Sequence, residues 1–177
     1  PRAALTALMA VCRAGKGDKA LLPQVLAALD RVDFKALKGL DQETYVRDYY
    51  LAFCRFGAPE GALLEKTTAK LSALFPTKEP LLDVDLAEVL TFLGDAAFLP
   101  KAIAIMENAP TQEEQIAYAK SLRMAKAGWT PELRERFFKW VCLRAPTYKG
   151  GASFPLFMED IKRDAVALLT DAEKAAL

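Results

Sequence analysis

The sequence contains no histidine among its 177 residues. Histidine is the commonest general base, the commonest metal ligand and the side chain that changes charge near neutral pH. Its absence excludes Ser/His and Cys/His nucleophilic catalysis. Acid/base catalysis would need paired, buried carboxylates instead, and no such pair is recognisable. We therefore expect a protein that is not an enzyme and that uses no cofactor and no metal.

Cysteine is also scarce, with only Cys12, Cys54 and Cys142 present. They lie far apart, and no C-x-x-C pair occurs, so a tetrahedral zinc site is not expected. Each is surrounded by apolar residues in a stretch with helical periodicity, which predicts three buried thiols. The odd number leaves at least one thiol unpaired within the chain, which argues against a disulfide scaffold but not against an oxidising compartment.

Positive and negative charges are nearly balanced, with 24 Lys and Arg residues and 23 Asp and Glu residues. A surface without net positive charge releases few counterions from a nucleic acid, so neither DNA nor RNA is an expected partner. Charged residues interrupt every apolar run before the roughly 20 residues that cross a bilayer, so no membrane insertion is expected. The start at Pro1-Arg2 carries no signal-peptide pattern and indicates a piece of a larger protein or a processed product.

What the sequence does contain is helical periodicity along almost its whole length. Apolar residues recur at three- and four-residue spacing, and no segment alternates as a strand does. Glycines, prolines and capping residues then predict helices over 3–14, 41–57, 58–75, 81–93 and 96–107, with others beginning at Asp18, Thr111, Thr130 and Ser153 and a short last one after Thr170. In the third helix, four aromatic residues at helical spacing predict a buried stripe: Tyr45, Tyr49, Phe53 and Phe56.

Several helix starts carry specific capping signals. Two pairs fit the capping box, in which a hydroxyl and a carboxylate satisfy each other's backbone amides: Thr111 with Glu114 and Thr170 with Glu173. Thr130-Pro131-Glu132 places an N-cap, a first-turn proline and a dipole-favoured acid in order. Ser153 is predicted to cap the ninth helix.

The glycines and prolines that are predicted to end helices recur at regular intervals along the chain. Gly17, Gly57, Gly94 and Gly128 are predicted to end the first helices of successive pairs, and Pro76, Pro110 and Pro146 the second, at a period of roughly 34 to 40 residues. The segments 17–23 and 94–100 share glycine, aspartate, leucine and proline at identical offsets. We therefore predict one all-α domain over 1–177, an α-α superhelix of HEAT-like or armadillo type with about four helix pairs and a short terminal helix.

Aromatic residues are concentrated in the last third of the sequence. Such residues either pack between the last helix pairs or form a surface on which a partner docks. As a possible interaction patch we select Trp129, Trp140, Tyr148, Lys149 and Phe154. The alternative is that these residues are simply core.

Two further segments have a functional and a plain interpretation. The Gly150-Gly151 loop leads into a helix N-terminus, which could bind a phosphate or carboxylate, yet its glycines match neither the P-loop nor the dinucleotide fingerprint. Asp83, Asp85 and Glu88 could face one cation, but acids are expected in the first turns of a helix and EF-hand spacing is missing. A plain turn and a favourable helix dipole are the simpler explanations.

The stretch after Thr111 resembles the HEAT-like helical segment of large multidomain proteins from planctomycetes and verrucomicrobia. The similarity is carried by Gln115-Ile116-Ala117-Tyr118-Ala119, Leu122-Arg123, Gly128-Trp129-Thr130, Arg134, Phe138, Trp140, Gly150-Gly151-Ala152-Ser153-Phe154 and Ile161. Those proteins join a sugar-dehydrogenase-like β-propeller, a helical segment and a c-type cytochrome domain. The resemblance implies a periplasmic or cell-envelope location and no catalytic role for these positions. Without histidine, the C-x-x-C-H haem motif is absent here.

Three functions remain open at this level. The first is a scaffold or protein-interaction module that spaces or docks neighbouring domains, such as the dehydrogenase and cytochrome domains. The second is a solenoid that assembles with copies of itself, since unfinished ends of such arrays expose apolar surface. The third is a domain that binds a small ligand or anion at the Gly150-Gly151 loop.

Overall fold

A computed structural model describes residues 1–176, which form helices and turns without any strand. This confirms the predicted all-α class. The ten α-helices of this part of the chain are α1 (Arg2–Ala14), α2 (Leu22–Asp30), α3 (Leu40–Phe56), α4 (Gly61–Ser72), α5 (Pro80–Leu93), α6 (Leu99–Asn108), α7 (Gln112–Leu122), α8 (Pro131–Lys139), α9 (Phe154–Ala167) and α10 (Asp171–Ala176). The chain divides into two compact units, Pro1–Val89 and Leu90–Leu177.

The first unit is built around α3, which packs against α1 and α2. The predicted aromatic stripe is confirmed as core, because Tyr45, Tyr49, Phe53 and Phe56 are all at most 4% exposed. The hydroxyl groups of Tyr45 and Tyr49 lie 3.2 Å apart and share a hydrogen bond. Each ring can therefore be buried without leaving its polar atom unpaired.

The second unit contains α6 to α10, and its core is formed by apolar residues from each of α6, α7, α8 and α9. Helix α8 continues into a π-helical turn, Trp140–Arg144, and then a 3₁₀ turn, Ala145–Thr147. The predicted stop at Pro146 is close to this end, since proline has no N–H to donate to a preceding carbonyl. The π-helical turn was not predicted, because single-turn π segments have no clear sequence signal.

The two duplicated segments share their local geometry. The Asp18 carboxylate accepts a hydrogen bond from Ala20 N at 3.0 Å, and the Asp95 carboxylate accepts one from Ala97 N at 2.9 Å. In each copy an α-helix then begins at the leucine that precedes the proline. The predicted start of α6 at residue 96 was wrong by three residues, because the aspartate turn delays the helix.

Three other boundary predictions need correction. Helix α4 begins at Gly61 rather than residue 58, because the chain stays extended through its N-cap, Glu60. It ends at Ser72, after which the chain tightens into a turn in which Phe75 N donates to Ser72 O at 3.2 Å. Gly128 does not end α7, which stops at Leu122 and is followed by a similar tight turn.

The prediction of three buried thiols was wrong for two of them. Cys12 is buried, whereas Cys54 and Cys142 are exposed. Each helical residue is rotated by about 100° from its neighbour, so apolar residues next to a cysteine in sequence do not place it on the buried face. Cys54 follows Phe53 of the buried stripe but projects from a different side of α3.

The capping predictions are mostly confirmed. Thr111 accepts from Glu114 N and Thr130 accepts from Leu133 N, each at 3.2 Å. The full reciprocal box forms at Thr170, whose N–H donates to Glu173 while Glu173 N donates to the Thr170 hydroxyl. Ser153 occupies the N-cap position of α9 without a side-chain hydrogen bond, because its backbone is already helical rather than extended.

Candidate functional site

The selected aromatic residues fall into two sets of neighbours within the second unit. Trp140 is 5% exposed, and its ring centroid lies 6.0 Å from that of Tyr148. Tyr148 and Phe154 are half-buried beside one surface groove, and the side chain of Lys149 is exposed nearby. Trp129 instead packs against Phe137, with their ring centroids 5.5 Å apart.

Gln115 is the polar centre beneath the groove. This buried side chain donates from Nε2 to Ala109 O at 2.7 Å. Its Oε1 accepts hydrogen bonds from Trp140 Nε1, at 2.8 Å, and from the Tyr148 hydroxyl. One amide on α7 therefore holds both the π-helical turn and the segment after it. Buried networks with every acceptor used are rigid, so the rings above Gln115 have little freedom.

Gln112, one turn earlier on α7, fixes the next part of the same loop. Its Nε2 donates to Lys149 O at 2.8 Å, and Lys149 N donates to its Oε1 at 3.1 Å. The Gln112 side chain thus both donates a hydrogen bond to the backbone of Lys149 and accepts one from it. The pairing uses only the backbone of Lys149, which leaves the ammonium group in solvent.

Gly150 is required by close packing. A Cβ atom at this position would overlap the Phe154 ring. The loop can therefore lie against α9 only because residue 150 has no side chain. This gives the Gly-Gly-x-Ser-Phe element a structural role in bringing Tyr148 and Phe154 to the groove.

The groove has a volume of about 350 Å³ and lies between the π-helical turn and the start of α9. Its apolar lining includes Val141, Ala145, Pro146, Tyr148, Phe154 and Met158, and its charged lining residues are Glu159 and Lys162. Two large apolar side chains are prominent in the same segments: Leu143 is 66% and Leu156 is 70% exposed. The chain presents apolar surface here on a frame held by hydrogen bonds.

The Gly150-Gly151 loop offers few free amides to an anion. Phe154 N donates to Gly151 O at 3.0 Å, and Phe157 N donates to Ser153 O at 3.2 Å. Pro155, between them, has no N–H. Most donors that would bind a phosphate at the start of α9 are therefore engaged or missing.

The second aromatic set is a cluster around Arg134, which is 6% exposed. The guanidinium lies 4.1 Å from the Trp129 ring centroid, and its Nε donates to Glu173 at 3.1 Å. Burial lowers the pKa of Arg134, partly offset by Glu173. The pKa of Glu173 is lowered by hydrogen bonds from Thr170 and, to a smaller extent, by Arg134. The cluster connects α8 to the capping box of α10.

Gly128, which precedes Trp129, is held in close contact with the backbone of Ala96. Its φ is +83°, and a Cβ atom there would lie 2.6 Å from Ala96 O. Only glycine fits this position. Each member of the Gly-Trp-Thr element thus has a structural role: the glycine in this contact, Trp129 in stacking and Thr130 as the N-cap of α8.

The acidic segment of α5 is engaged within the first unit. Asp83 is 4% exposed and accepts hydrogen bonds from Thr77 N, from Thr77 Oγ1 and from Lys78 N. Asp85 pairs with Arg47 at 3.0 Å. Residues 1–176 contain no group of three or more His, Cys, Asp or Glu side chains arranged to hold a metal.

The first unit also carries an apolar groove of about 480 Å³, formed by α1, α2 and the turns that follow α2. Ala4, Leu8, Val11 and Val32 are among the residues that line it. Val11 is 41% exposed. None of these residues was singled out from the sequence, because small apolar side chains on a helix read as core.

No family model, no curated protein and no solved structure matches this chain. These comparisons therefore do not test the resemblance to the planctomycete and verrucomicrobial helical segment, which stays a prediction from the sequence. Within the described part of the chain, no helix combines the length and apolar character needed to cross a membrane.

The role of the two residues that organise the groove was not predicted from the sequence. Gln112 and Gln115 lie on a helix whose other features, the Thr111 cap and its first-turn acids, were recognised. The available signal was a glutamine on the same helical face as Tyr118 and Leu122, both of which are buried. A buried glutamine needs polar partners, and nearby tryptophan and tyrosine residues can supply them.

Proposed function

We propose that this chain is a non-catalytic, HEAT-like helical-repeat module that docks or spaces neighbouring protein domains. Two observations support the repeat assignment: in residues 1–176 α-helices follow one another without an intervening strand, and the segments 17–23 and 94–100 repeat the same aspartate turn and helix start. Repeats of this kind serve as extended binding surfaces. The proposal includes protein partners, no nucleic acid and no reaction.

The proposal of a docking role is based on the groove between the π-helical turn and α9. It combines an apolar lining with a frame fixed by Gln112 and Gln115, and exposed Leu143 and Leu156 belong to the segments beside it. A surface ordered before binding loses little conformational entropy when a partner docks. Aromatic and aliphatic anchors in a shallow pocket are typical of protein contacts.

The partners proposed from the resemblance are domains of the same polypeptide, in a periplasmic or envelope setting. The complete reading frame should then encode a C-x-x-C-H segment and β-propeller-like strands. The decisive binding experiment adds each flanking domain, expressed separately, to this chain and measures affinity by calorimetry. Leu156→Asp, which places a charge on α9 beside the groove, should weaken binding at least about tenfold.

A matched control is available on the other unit. Leu81 is also 70% exposed, so Leu81→Asp introduces the same charge at a site of equal exposure. It should leave the affinity unchanged. Equal losses in the two variants, or no binding by any flanking domain, would remove the groove as the docking site.

Self-assembly is a second candidate, favoured by the apolar groove beside α1. If two copies associate through this face, the mass in solution should rise with concentration, and Val11→Asp should keep the protein monomeric. Sedimentation at two concentrations a hundredfold apart tests this. A constant monomer mass would exclude it.

A further inference from the structure

Asp48, on α3 in the first unit, has a side chain that is both fully buried and unpaired. It is 0% exposed, and neither carboxyl oxygen has a hydrogen-bond partner. Its neighbours on the helix, Tyr45, Tyr49 and Ala52, are also at most 1% exposed. An ionised carboxylate without a partner in such surroundings is strongly destabilising.

On α1, the thiol of Cys12 is also 0% exposed and lies within electrostatic reach of Asp48. Burial, and then the charge of Asp48, raises the pKa of Cys12. A neutral thiol cannot compensate a carboxylate. Helices α1 and α3 therefore meet at two titratable groups that are both more stable uncharged.

The charged groups on the other elements around α3 are engaged elsewhere or exposed. On α2, Asp30 pairs with Lys66 and Lys70 of α4. In the 3₁₀ turn before α2, Lys19 is exposed. On α3 itself, Arg47 pairs with Asp85. None of these cations is hydrogen-bonded to Asp48.

We propose that Asp48 keeps its proton in the folded protein and acts as a pH-sensitive latch between α1 and α3, closed when protonated and loosened by ionisation. Burial raises the pKa of Asp48 to about 7. An exposed aspartate has a pKa near 4. Between these values the closed unit holds a proton that the open unit has lost, so opening becomes easier as pH rises from about 4 to 7 and levels off above it.

Cys12 reports this opening directly. In a Cys54→Ser, Cys142→Ser background it is the sole thiol, and α1 must move before a reagent can reach it. The experiment measures its modification by 4,4′-dithiodipyridine between pH 5 and pH 8, with and without Asp48→Asn. Thiol ionisation affects both proteins equally once open, so the ratio of the two rates isolates Asp48.

The modification rate of the protein that retains Asp48, divided by the rate of the Asp48→Asn variant, should rise by roughly 80-fold between pH 5 and pH 8. Glu65→Gln, which neutralises an exposed acid of α4, should follow the protein that retains Asp48 at every pH. A ratio that changes by less than about threefold would overturn the latch.

A second measurement keeps the proposal testable if Asp48→Asn fails to fold. The carboxyl carbon of Asp48, assigned by NMR in the same Cys54→Ser, Cys142→Ser background, should titrate near pH 7. Titration near pH 4 would overturn the proposal whatever the folding of the variant.

Discussion

The guanidinium group of Arg134 stacks on the indole ring of Trp129, 4.1 Å from its centroid, while its Nε reaches Glu173. The planar, weakly hydrated guanidinium is suited to both contacts at once, and an ammonium is not. One side chain thus joins the loop before α8 to the cap of α10. Replacing Arg134 should therefore weaken both the contact with Trp129 and the ion pair with Glu173.

Arg134→Lys keeps the charge but loses the stack and the directional ion pair. We expect the free energy of unfolding to fall by about 1 to 3 kcal/mol, measured by urea denaturation with tryptophan fluorescence. The exposed change Lys139→Arg is the control and should be neutral. A loss equal to the control would mean that the stack contributes nothing.

Gln115→Leu should destabilise the second unit by about 2 to 4 kcal/mol. The substitution leaves Trp140 Nε1 and Ala109 O buried without partners, and an unpaired buried group costs more than the hydrogen bond contributed. Urea denaturation measures the loss. Gln24→Leu, on an exposed face of α2, should change stability by less than about 0.5 kcal/mol. Similar effects at the two positions would contradict the network.

Gly128→Ala and Gly57→Ala form a matched pair. Both glycines have φ between +80° and +90°, but a Cβ atom would meet Ala96 at position 128 and open space at position 57. Gly57→Ala should cost about 1 to 3 kcal/mol for backbone strain alone, and Gly128→Ala about 2 kcal/mol more because of the contact with Ala96. Thermal unfolding compares them, and equal losses would show that the contact with Ala96 relaxes freely.

Global stability should also depend on pH through Asp48. Because its folded pKa lies above its unfolded pKa, the stabilisation is complete below about pH 4 and is lost as pH rises through 7, amounting to about 4 kcal/mol at most. Urea denaturation at each pH should show this decline, and Asp48→Asn should remove it. An unchanged decline in Asp48→Asn would place its source in another group.

Asp30 should make the protein less stable as pH falls, which is the opposite of the dependence expected from Asp48. Although partial burial opposes it, hydrogen bonds from Lys66 and Lys70 lower the pKa of Asp30. Its contribution is therefore present above the ordinary aspartate pKa and lost as pH falls through the lowered value. Asp30→Asn should make the first unit less sensitive to acid, seen as a smaller loss of helical circular dichroism below pH 4. The same acid sensitivity with and without Asp30 would contradict this assignment.

Local signals in the sequence were enough for much of the fold. Thr111, Thr130 and Thr170 each cap a helix as predicted, because a cap depends on residues within one turn. The exposure of Cys54 follows from the helical period itself, because it lies one residue past Phe53 of the buried stripe, and reasoning from its apolar sequence neighbours ignored that rotation. The late start of α4 is an offset of three residues, and helix boundaries are the least predictable part of such an assignment. The all-α class survives such errors, whereas individual side-chain environments do not.

The candidate site was predictable only in part. Tyr148, Phe154 and the two glycines drew attention through composition. Gln115 did not, since its role depends on a hydrogen bond to Trp140, 25 residues away in sequence. The burial of Asp48 was equally hidden, because a single aspartate in an aromatic helix looks like a solvated position until its neighbours are known.

The pairing of Gln112 with Lys149 has an evolutionary consequence. Both hydrogen bonds involve the main chain at position 149, so any residue other than proline can satisfy them. The side chain at position 149 can therefore change in evolution while the shape of the loop is kept. Substitutions at 149 can change the exposed side chain while Tyr148 stays where Gln115 holds it. If this loop docks a partner, as we propose, binding preference can then diverge among descendants of this chain without loss of the fold.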